Sequence, residues 1–474
     1  MAILRFTSPV PSPGAVFPQR PPSIPRAFTG DPNMKPLTPS RAPHLLAAAI
    51  GLLFAGSVHA IDFGPFSLTG FAKAELTPVW PYCDGCQVAA GEDKQRYWAD
   101  QLRQNHSYST HVASVTLFQP YLGVKTEVGR GVKVGALLSQ RFRDGKEDFK
   151  GFYYDRNVYV SHDDYGSLRV GAMAARGWSV ADYPYGTAVG VADVWGSSGA
   201  GYGILTRAAR LGTRPLDVFN GDLVLEATYD IGKAGWHQNK PRFFELYAQY
   251  HNGDLVVDAI YQSAKNGTPS AFGHGVFTGL TPFPADDSKL GSSSQGIAMV
   301  MGRYQVDSNW EISGGLRANR WSGAYAVVTT PPNTNTGTGL IDDARWNNMF
   351  NVDWTHDLGG GVFKGYPATS LDLMLGLRYR VGPWTASTGM VHLGAAATAN
   401  PSDRGQSNAA TINTVGVNYN FRNGFEAYTT LGMVQYAKLG LSPMSMPGNA
   451  AFTNVDSRVK THGNWLTVGA VYVF

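Results

Sequence analysis

The sequence predicts an all-β protein: an antiparallel sheet closed into a transmembrane β-barrel. Three observations predict it. First, Leu466-Thr467-Val468-Gly469-Ala470-Val471-Tyr472-Val473-Phe474 alternates with period two and stops on an aromatic residue. Successive strand side chains point to opposite faces, so Leu466, Val468, Ala470, Tyr472 and Phe474 share one face. A soluble strand gains little from a terminal Phe, whereas a barrel strand gains an anchor at the membrane interface. Second, alternating segments recur along the chain, separated by short turns and by long Gly/Ser/Asn/Pro-rich stretches. Third, 12% of residues are aromatic, 56 are Gly and only 16% are charged, against roughly 25% charged in soluble domains. Alternating lipid-facing and water-facing positions produce that mixture.

Residues 1–33 are Pro-rich and aperiodic, and are expected to be an over-called start or a disordered extension, with Met34 the initiator. Residues 34–60 have the three parts of a secretory signal: Lys35 and Arg41, the apolar run Leu45 to Ala55, and a cleavage site after Ala60. The run is shorter than the ~18–20 residues a membrane-spanning helix needs. Removing Arg5, Arg20, Arg26, Lys35, Arg41 and Asp31 brings the net charge of +4 to near zero. The basic balance of the whole chain therefore does not point to nucleic acid.

Residues 61–474 are expected to form one barrel. Its strands begin with Ser67–Leu76, then Ser114–Glu127 and Val132–Arg141 across a tight Val128-Gly129-Arg130-Gly131 turn. Tyr153–His162 pairs with Ser167–Ala174, Arg207–Leu216 with Asp222–Tyr229, and Phe243–His251 with Asp254–Ala264 across Asn252-Gly253. Gly296–Val306 and Trp310–Arg320 follow, then Trp346–Thr355, Ser370–Arg380, Trp384–Leu393, Thr411–Phe421, Phe425–Tyr436 and Thr461–Phe474. The long connections are 77–111, 175–206, 265–295, 321–345, 394–410 and 437–460. Strict alternation of short and long predicts short periplasmic turns and long outer loops. The segments number an odd total, which cannot place both ends on the periplasmic side. One of them is misplaced, or a further strand such as Ala324–Thr330 hides in 321–345; sixteen and eighteen strands both satisfy closure. Trp310, Trp321, Trp346, Trp354, Trp384, Tyr419, Phe421, Tyr436, Trp465 and Tyr472 fall near segment ends, as interfacial girdles require.

Cys83 and Cys86 are the only cysteines. No second Cys/His pair completes a zinc site and no βαβ pattern supports a redox site, so in an exported chain a local loop disulfide is the expected state. No cofactor or metal is implied. The histidines His162, His251, His274, His356, His392 and His462 stand in no pairing motif, and Gly-x-Ser-x-Gly is absent, so the sequence offers no catalytic centre.

At this point the chain resembles the general outer-membrane porins of Gram-negative bacteria, of the β-proteobacterial type. The resemblance lies in Phe66-Ser67-Leu68-Thr69-Gly70-Phe71, in Tyr121-Leu122-Gly123-Val124-Lys125 with Gly131-Val132-Lys133-Val134, in Asn157-Val158-Tyr159-Val160-Ser161 with Tyr165-Gly166-Ser167-Leu168-Arg169-Val170-Gly171, and in the closing Val471-Tyr472-Val473-Phe474. It implies a sixteen-stranded barrel, a homotrimer, and passive diffusion of small hydrophilic solutes. It implies as partners outer-membrane lipid and lipopolysaccharide, and the insertion machinery that reads the last strand. It also implies that loop 175–206 folds inward; of acids that loop carries only Asp182 and Asp193. Loops 265–295 and 437–460 do not match a general porin and leave room for a specialised channel.

A pore needs fixed charge where it is narrowest, because low-dielectric walls focus the field there. Alternation turns Gln119, Tyr121 and Lys125 inward, and likewise Lys133, Ser139 and Arg141, then Arg169. Arg210 and Arg214 share one face of the next strand. Lys125, Lys133, Arg141, Arg169 and Arg210 are therefore the expected basic wall, facing Asp182 and Asp193 and favouring anions. The competing reading places these cations at the wet rim or pairs them with Asp144, Glu147 or Glu226.

Overall fold

A computed structural model describes residues 61–79, 111–147, 155–176, 204–231, 242–265, 294–322, 325–326, 352–357, 362–395, 397–399, 409–421, 424–436 and 461–474. Sixteen of its strands form one closed antiparallel barrel: β1 (Phe66–Val79), β2 (His111–Gly129), β3 (Val132–Ser139), β4 (Asp155–His162), β5 (Gly166–Ala174), β6 (Ile204–Gly212), β7 (Gly221–Asp230) and β8 (Arg242–Asn252). The circuit continues with β9 (Leu255–Lys265), β10 (Ser294–Gln305), β11 (Trp310–Ser322), β12 (Ala368–Val381), β13 (Trp384–Leu393), β14 (Ala410–Asn420), β15 (Phe425–Tyr436) and β16 (Thr461–Val473). Each strand pairs with its sequence neighbours, and β1 pairs with β16 from Phe71↔Val473 to Val79↔Trp465. Closure removes the unpaired edges that hydrocarbon could not satisfy.

The seam is pinned by its last residue. Phe474 donates its N–H to the Gly70 carbonyl at 3.0 Å and accepts from Gly70 N–H at 2.8 Å. Its ring lies over Gly70, where a Cβ would come within 2.7 Å of Cζ. Tyr472 and Phe118 flank that ring, with centroids at 6.0 and 6.1 Å.

The excess segment of the sequence reading is resolved. Val352–Asp357 is not a barrel strand; it joins Val362–Gly365 and Tyr325–Ala326 in a separate three-stranded sheet. The strand expected at Ala324–Thr330 is represented there by Tyr325–Ala326, outside the barrel wall. Local alternation looks the same in a loop hairpin as in the wall. With that segment removed, Gly382-Pro383 becomes an ordinary short turn between β12 and β13, and the total is sixteen, not eighteen.

Outward faces are apolar, with Leu122, Val158, Val170, Leu211, Leu316, Leu375 and Val468 all exposed. At the periplasmic ends the outward positions turn aromatic. Trp310 meets Tyr379 at 4.7 Å between centroids, Trp384 meets Tyr419 at 4.8 Å, and Tyr419 meets Phe421 at 4.6 Å. The girdle expectation thus lands on Trp310, Trp384, Tyr419, Phe421 and Tyr472. Trp354 belongs to the separate sheet, and Trp346 lies outside the described residues.

The inward faces are not uniformly wet. Ile260, Ile297, Met299, Met301, Met374 and Val391 all take inward positions on β9, β10, β12 and β13, and all are buried. This sector of the wall is packed. Gly315 leaves the space that Met301 fills, since a Cβ there would come within 2.9 Å of Met301 Cγ.

Candidate functional site

Hydrogen-bond register carries a residue's inward position from strand to strand, so side chains far apart in sequence line up in rows across the wall. One inward row runs Tyr159, Arg169, Arg210, Thr228, Glu245, Gln262. The next runs Ser167, Gly212, Glu226, Tyr247, Ile260. Together they make a polar sector on the inner wall of β4 to β9.

Arg210 is almost enclosed. Its Nε donates to Thr228 Oγ1 at 2.8 Å and its Nη2 to the Ala174 carbonyl at 2.8 Å. Glu245 Oε1 lies 3.4 Å from Nη2, and Glu226 Oε2 lies 3.7 Å from Nε. Arg176, at the root of the loop that follows β5, completes the cluster. Its backbone N–H donates to both Glu245 oxygens at 2.9 Å, and its guanidinium grips Glu226 through Nε at 2.5 Å and through Nη2. That guanidinium also sits 5.0 Å from the centroid of Tyr247. Tyr247 in turn donates to Asp258 at 2.5 Å, and Gln262 donates to Glu245 at 2.6 Å. Buried charges are tolerated where partners satisfy them, and here each carboxylate is shared by several donors.

Arg169 donates to Asn157 Oδ1 at 3.2 Å and lies 5.2 Å from the Tyr159 centroid. Asn157 is held by Asp155 and by the Ala172 carbonyl, at 3.1 and 2.8 Å. Arg141 donates to Gln119 Oε1 at 2.7 Å, while Gln119 donates to Tyr121 and Ser139 at 2.8 and 3.1 Å. Lys125 and Lys133 take inward positions near the β2–β3 turn. Lys133 reaches down to Asp163 in the β4–β5 turn, 2.6 and 2.7 Å from its two oxygens. That lysine holds the Asp163 carboxyl below its ordinary pKa.

All five sequence-expected cations therefore face inward. Arg169 and Arg210 are brought together across β5 and β6, Arg141 lies on the β2–β3 side, and Lys133 belongs to the periplasmic rim. Carboxylates meet the arginines on the same wall, through Glu226 and Glu245. Asp182, Asp193, Cys83 and Cys86 lie outside the described residues, as do 1–33 and the signal segment 34–60.

Sequence reasoning passed over a second group on β11 and β12. Arg317, inward on β11, contacts Asp372 Oδ2 through Nη2 at 2.6 Å and through Nε at 3.0 Å. Asn319 donates to the same oxygen at 2.7 Å. Nearer the periplasm, Glu311 accepts from Arg378 at 2.5 Å and from Arg380 at 3.0 Å. The signal was present: Glu311, Ser313, Arg317 and Asn319 alternate with Ile312, Leu316 and Ala318. A third inward contact sits beside the seam, where Tyr428 donates to Glu75 at 2.5 Å and Lys73 lies 3.4 Å from that carboxylate.

A closed sheet with apolar outward faces, an aromatic girdle and charge turned inward defines an outer-membrane β-barrel. Residues 46–439 match the family described as Gram-negative porin, and the chain belongs to that family. Among solved structures it is similar to the anion-selective porin from Comamonas acidovorans, at 13% identity and TM-score 0.53, covering 86% of this chain and 99% of that one. It is also similar to the trimer form of OmpT from Vibrio cholerae, at 14% identity and TM-score 0.52, covering 87% and 100%. Salmonella typhi OmpF, solved with daunomycin, aligns at 13% identity and TM-score 0.51, covering 88% and 100%. No curated protein matches the chain in sequence.

Proposed function

We propose that this outer-membrane porin is a water-filled channel through which small hydrophilic solutes and ions diffuse passively, with a weak preference for anions. The single observation that carries this reading is the polarity of the inner wall: every Asp and Glu of the sixteen strands occupies an inward position. Arg141, through its bond to inward Gln119, and Arg169, Arg303, Arg378 and Arg380 bring cationic groups to the same side. Arg141, Arg169 and Arg210 form the basic side of the constriction, with Asp182 and Asp193 as its acidic counterpart, while Lys125 and Lys133 line the periplasmic approach to it. Low-dielectric walls make each fixed charge count for more than it would in bulk water. The protein works as a homotrimer, is exported through the 34–60 signal, carries a Cys83–Cys86 disulfide, and performs no catalysis.

Planar-bilayer recording of the reconstituted protein tests this. Large ohmic steps in groups of three are expected, with a reversal potential on the anion side in a salt gradient. Charge reversal at Arg141 and Arg169 together should move that potential toward cation preference. An unchanged reversal potential would remove these residues from the constriction, and absence of conductance would remove the channel.

A further inference from the structure

The inner wall of β12 to β14 holds a recess that the constriction does not use. Register places Arg378, Ser387 and Gly416 in one inward row, and Gly376, Gly389 and Thr414 in the next. On β13 and β14, glycine takes one diagonal of the square and a hydroxyl residue takes the other. Three of these six positions are glycine, so the wall is hollow there. Met374 and Val391 form the following row and bound the hollow with buried apolar groups. Toward the periplasm the next row is Arg380, Thr385 and Asn418, all half-buried, and the hollow opens that way.

The wall does not satisfy the polar groups that face this hollow. Ser387 is 5% exposed and Thr414 2%, yet neither Ser387 Oγ nor Thr414 Oγ1 has a hydrogen-bond partner among the described residues. Asn418 is hydrogen-bonded to Glu426, which orients its amide, and its Oδ1 is likewise enclosed without a partner among them. Burying a hydroxyl or an amide oxygen unpaired is costly, so three such groups around one hollow call for an occupant. Arg378 and Arg380 share Glu311 at 2.5 and 3.0 Å. With Arg303 inward on β10, three guanidinium groups stand against Glu311 and Glu426, and this stretch of wall is positive on balance.

We propose that the recess binds a small carboxylate that also carries a hydroxyl or ammonium group: a short hydroxy acid or amino acid. Its carboxylate oxygens accept from Ser387 and Thr414, with Arg378 supplying positive charge beside them. Its own donor reaches Asn418 Oδ1, an acceptor that a plain carboxylate leaves idle. Its short carbon chain lies against Met374 and Val391. The space freed by the glycines limits the occupant to a few heavy atoms. The proposal deepens the channel reading by naming a solute class, and rests on that reading for the solute's route.

The test is saturation-transfer NMR on detergent-solubilised full-length protein. Its probes are glycolate, acetate and ethylene glycol, which carry both functions, the carboxylate alone and hydroxyls alone. Glycolate should bind roughly tenfold tighter than either of the others. The S387A/T414V variant keeps the shape of the wall and should weaken glycolate binding by roughly tenfold. G389A leaves both hydroxyls in place but fills the hollow, and should weaken it by a similar factor. Equal binding of the three probes overturns the proposal, as does a glycolate preference that survives S387A/T414V. Absence of transfer to all three also overturns it and leaves the recess to water. Should a variant lose its heat-modifiable gel band, the wild-type ranking decides alone. Planar-bilayer recording of the same wild-type preparation keeps the two readings apart. Conductance without a glycolate preference sinks the site and keeps the channel; a glycolate preference without conductance does the reverse.

Discussion

The inner wall has two sectors built by one rule. From β4 to β9 the inward positions hold Asp155, Arg169, Arg210, Glu226, Glu245 and Asp258. From β9 to β13 they also hold Ile260, Ile297, Met299, Met301, Met374 and Val391. The same register row passes from Glu226 and Tyr247 to Ile260 and Met299, then to Arg317 and Asp372. Alternation therefore decides which side a residue faces, and the lining decides whether that side is wet. In the first sector charges are matched in place; in the second, methionine side chains fill space around the matched pair Arg317–Asp372. Matched charges and packed side chains should fail differently when altered, and the second sector holds both, with Arg317–Asp372 beside Met374 on β11 and β12.

The largest effect is expected where a buried charge loses its partner. Asp372→Ala removes the carboxylate that Arg317, itself 1% exposed, contacts at 2.6 Å, and should lower stability by about 3–5 kcal/mol. Reversible urea unfolding in lipid vesicles, followed by tryptophan fluorescence, reads it. Combining Arg317→Met with Asp372→Leu should recover most of that loss, since a packed apolar pair avoids the desolvation cost. No recovery would mean that the pair does more than satisfy itself. Met374→Ala removes packing without stranding a charge. It should cost about 2–4 kcal/mol in the same measurement, because Met374 is fully buried. A change below about 0.5 kcal/mol would show that this sector is loosely packed after all.

Gly315→Ala sharpens the contrast from the opposite direction. Its new methyl would press on Met301 Cγ at 2.9 Å and the Val300 carbonyl at 3.0 Å. Overpacking of this kind costs about 1–3 kcal/mol, and Met301→Ala in the same chain should relieve part of it. The smallest effect lies at the rim. Asp307 caps the β10–β11 turn by accepting N–H bonds from Asn309 at 2.7 Å and Trp310 at 2.8 Å. Those bonds hold its carboxyl below the ordinary value near 3.8. The sign follows: its contribution is fully present above that value and is lost as pH falls through the depressed one. Asp307→Asn should therefore flatten the stability profile below about pH 4 and leave neutral-pH conductance unchanged. A profile that stays as steep would clear the turn of any role.

Most of the fold was legible because a barrel writes its pattern locally. β16 could be read from Leu466 to Phe474, and the inward turn of Lys125, Arg141 and Arg169 followed from the apolar neighbours Leu122, Leu138 and Val170. Trp346–Thr355 misled because a loop hairpin alternates as a wall strand does; only the parity of the ends exposed it. The site was legible in its members and not in its partnerships. Arg210 and Glu245 lie on strands separated by β7, and their meeting depends on the stagger of the closed sheet, which no single hairpin encodes. The Arg176 clamp depends on how the chain turns after β5, where the alternation has stopped.

The joint between β1 and β16 couples the first and last strands of the barrel, with Gly70 and Phe474 exchanging both amide bonds. Contacts of such long range form late, because little earlier structure offsets the entropy of bringing the ends together. Until they form, two rows of bare amide groups would have to sit in oil, where nothing solvates them. Insertion and ring completion are thereby compelled to be a single event. The ring over Gly70 then acts as a latch: it fits only once both strands have arrived in the right register.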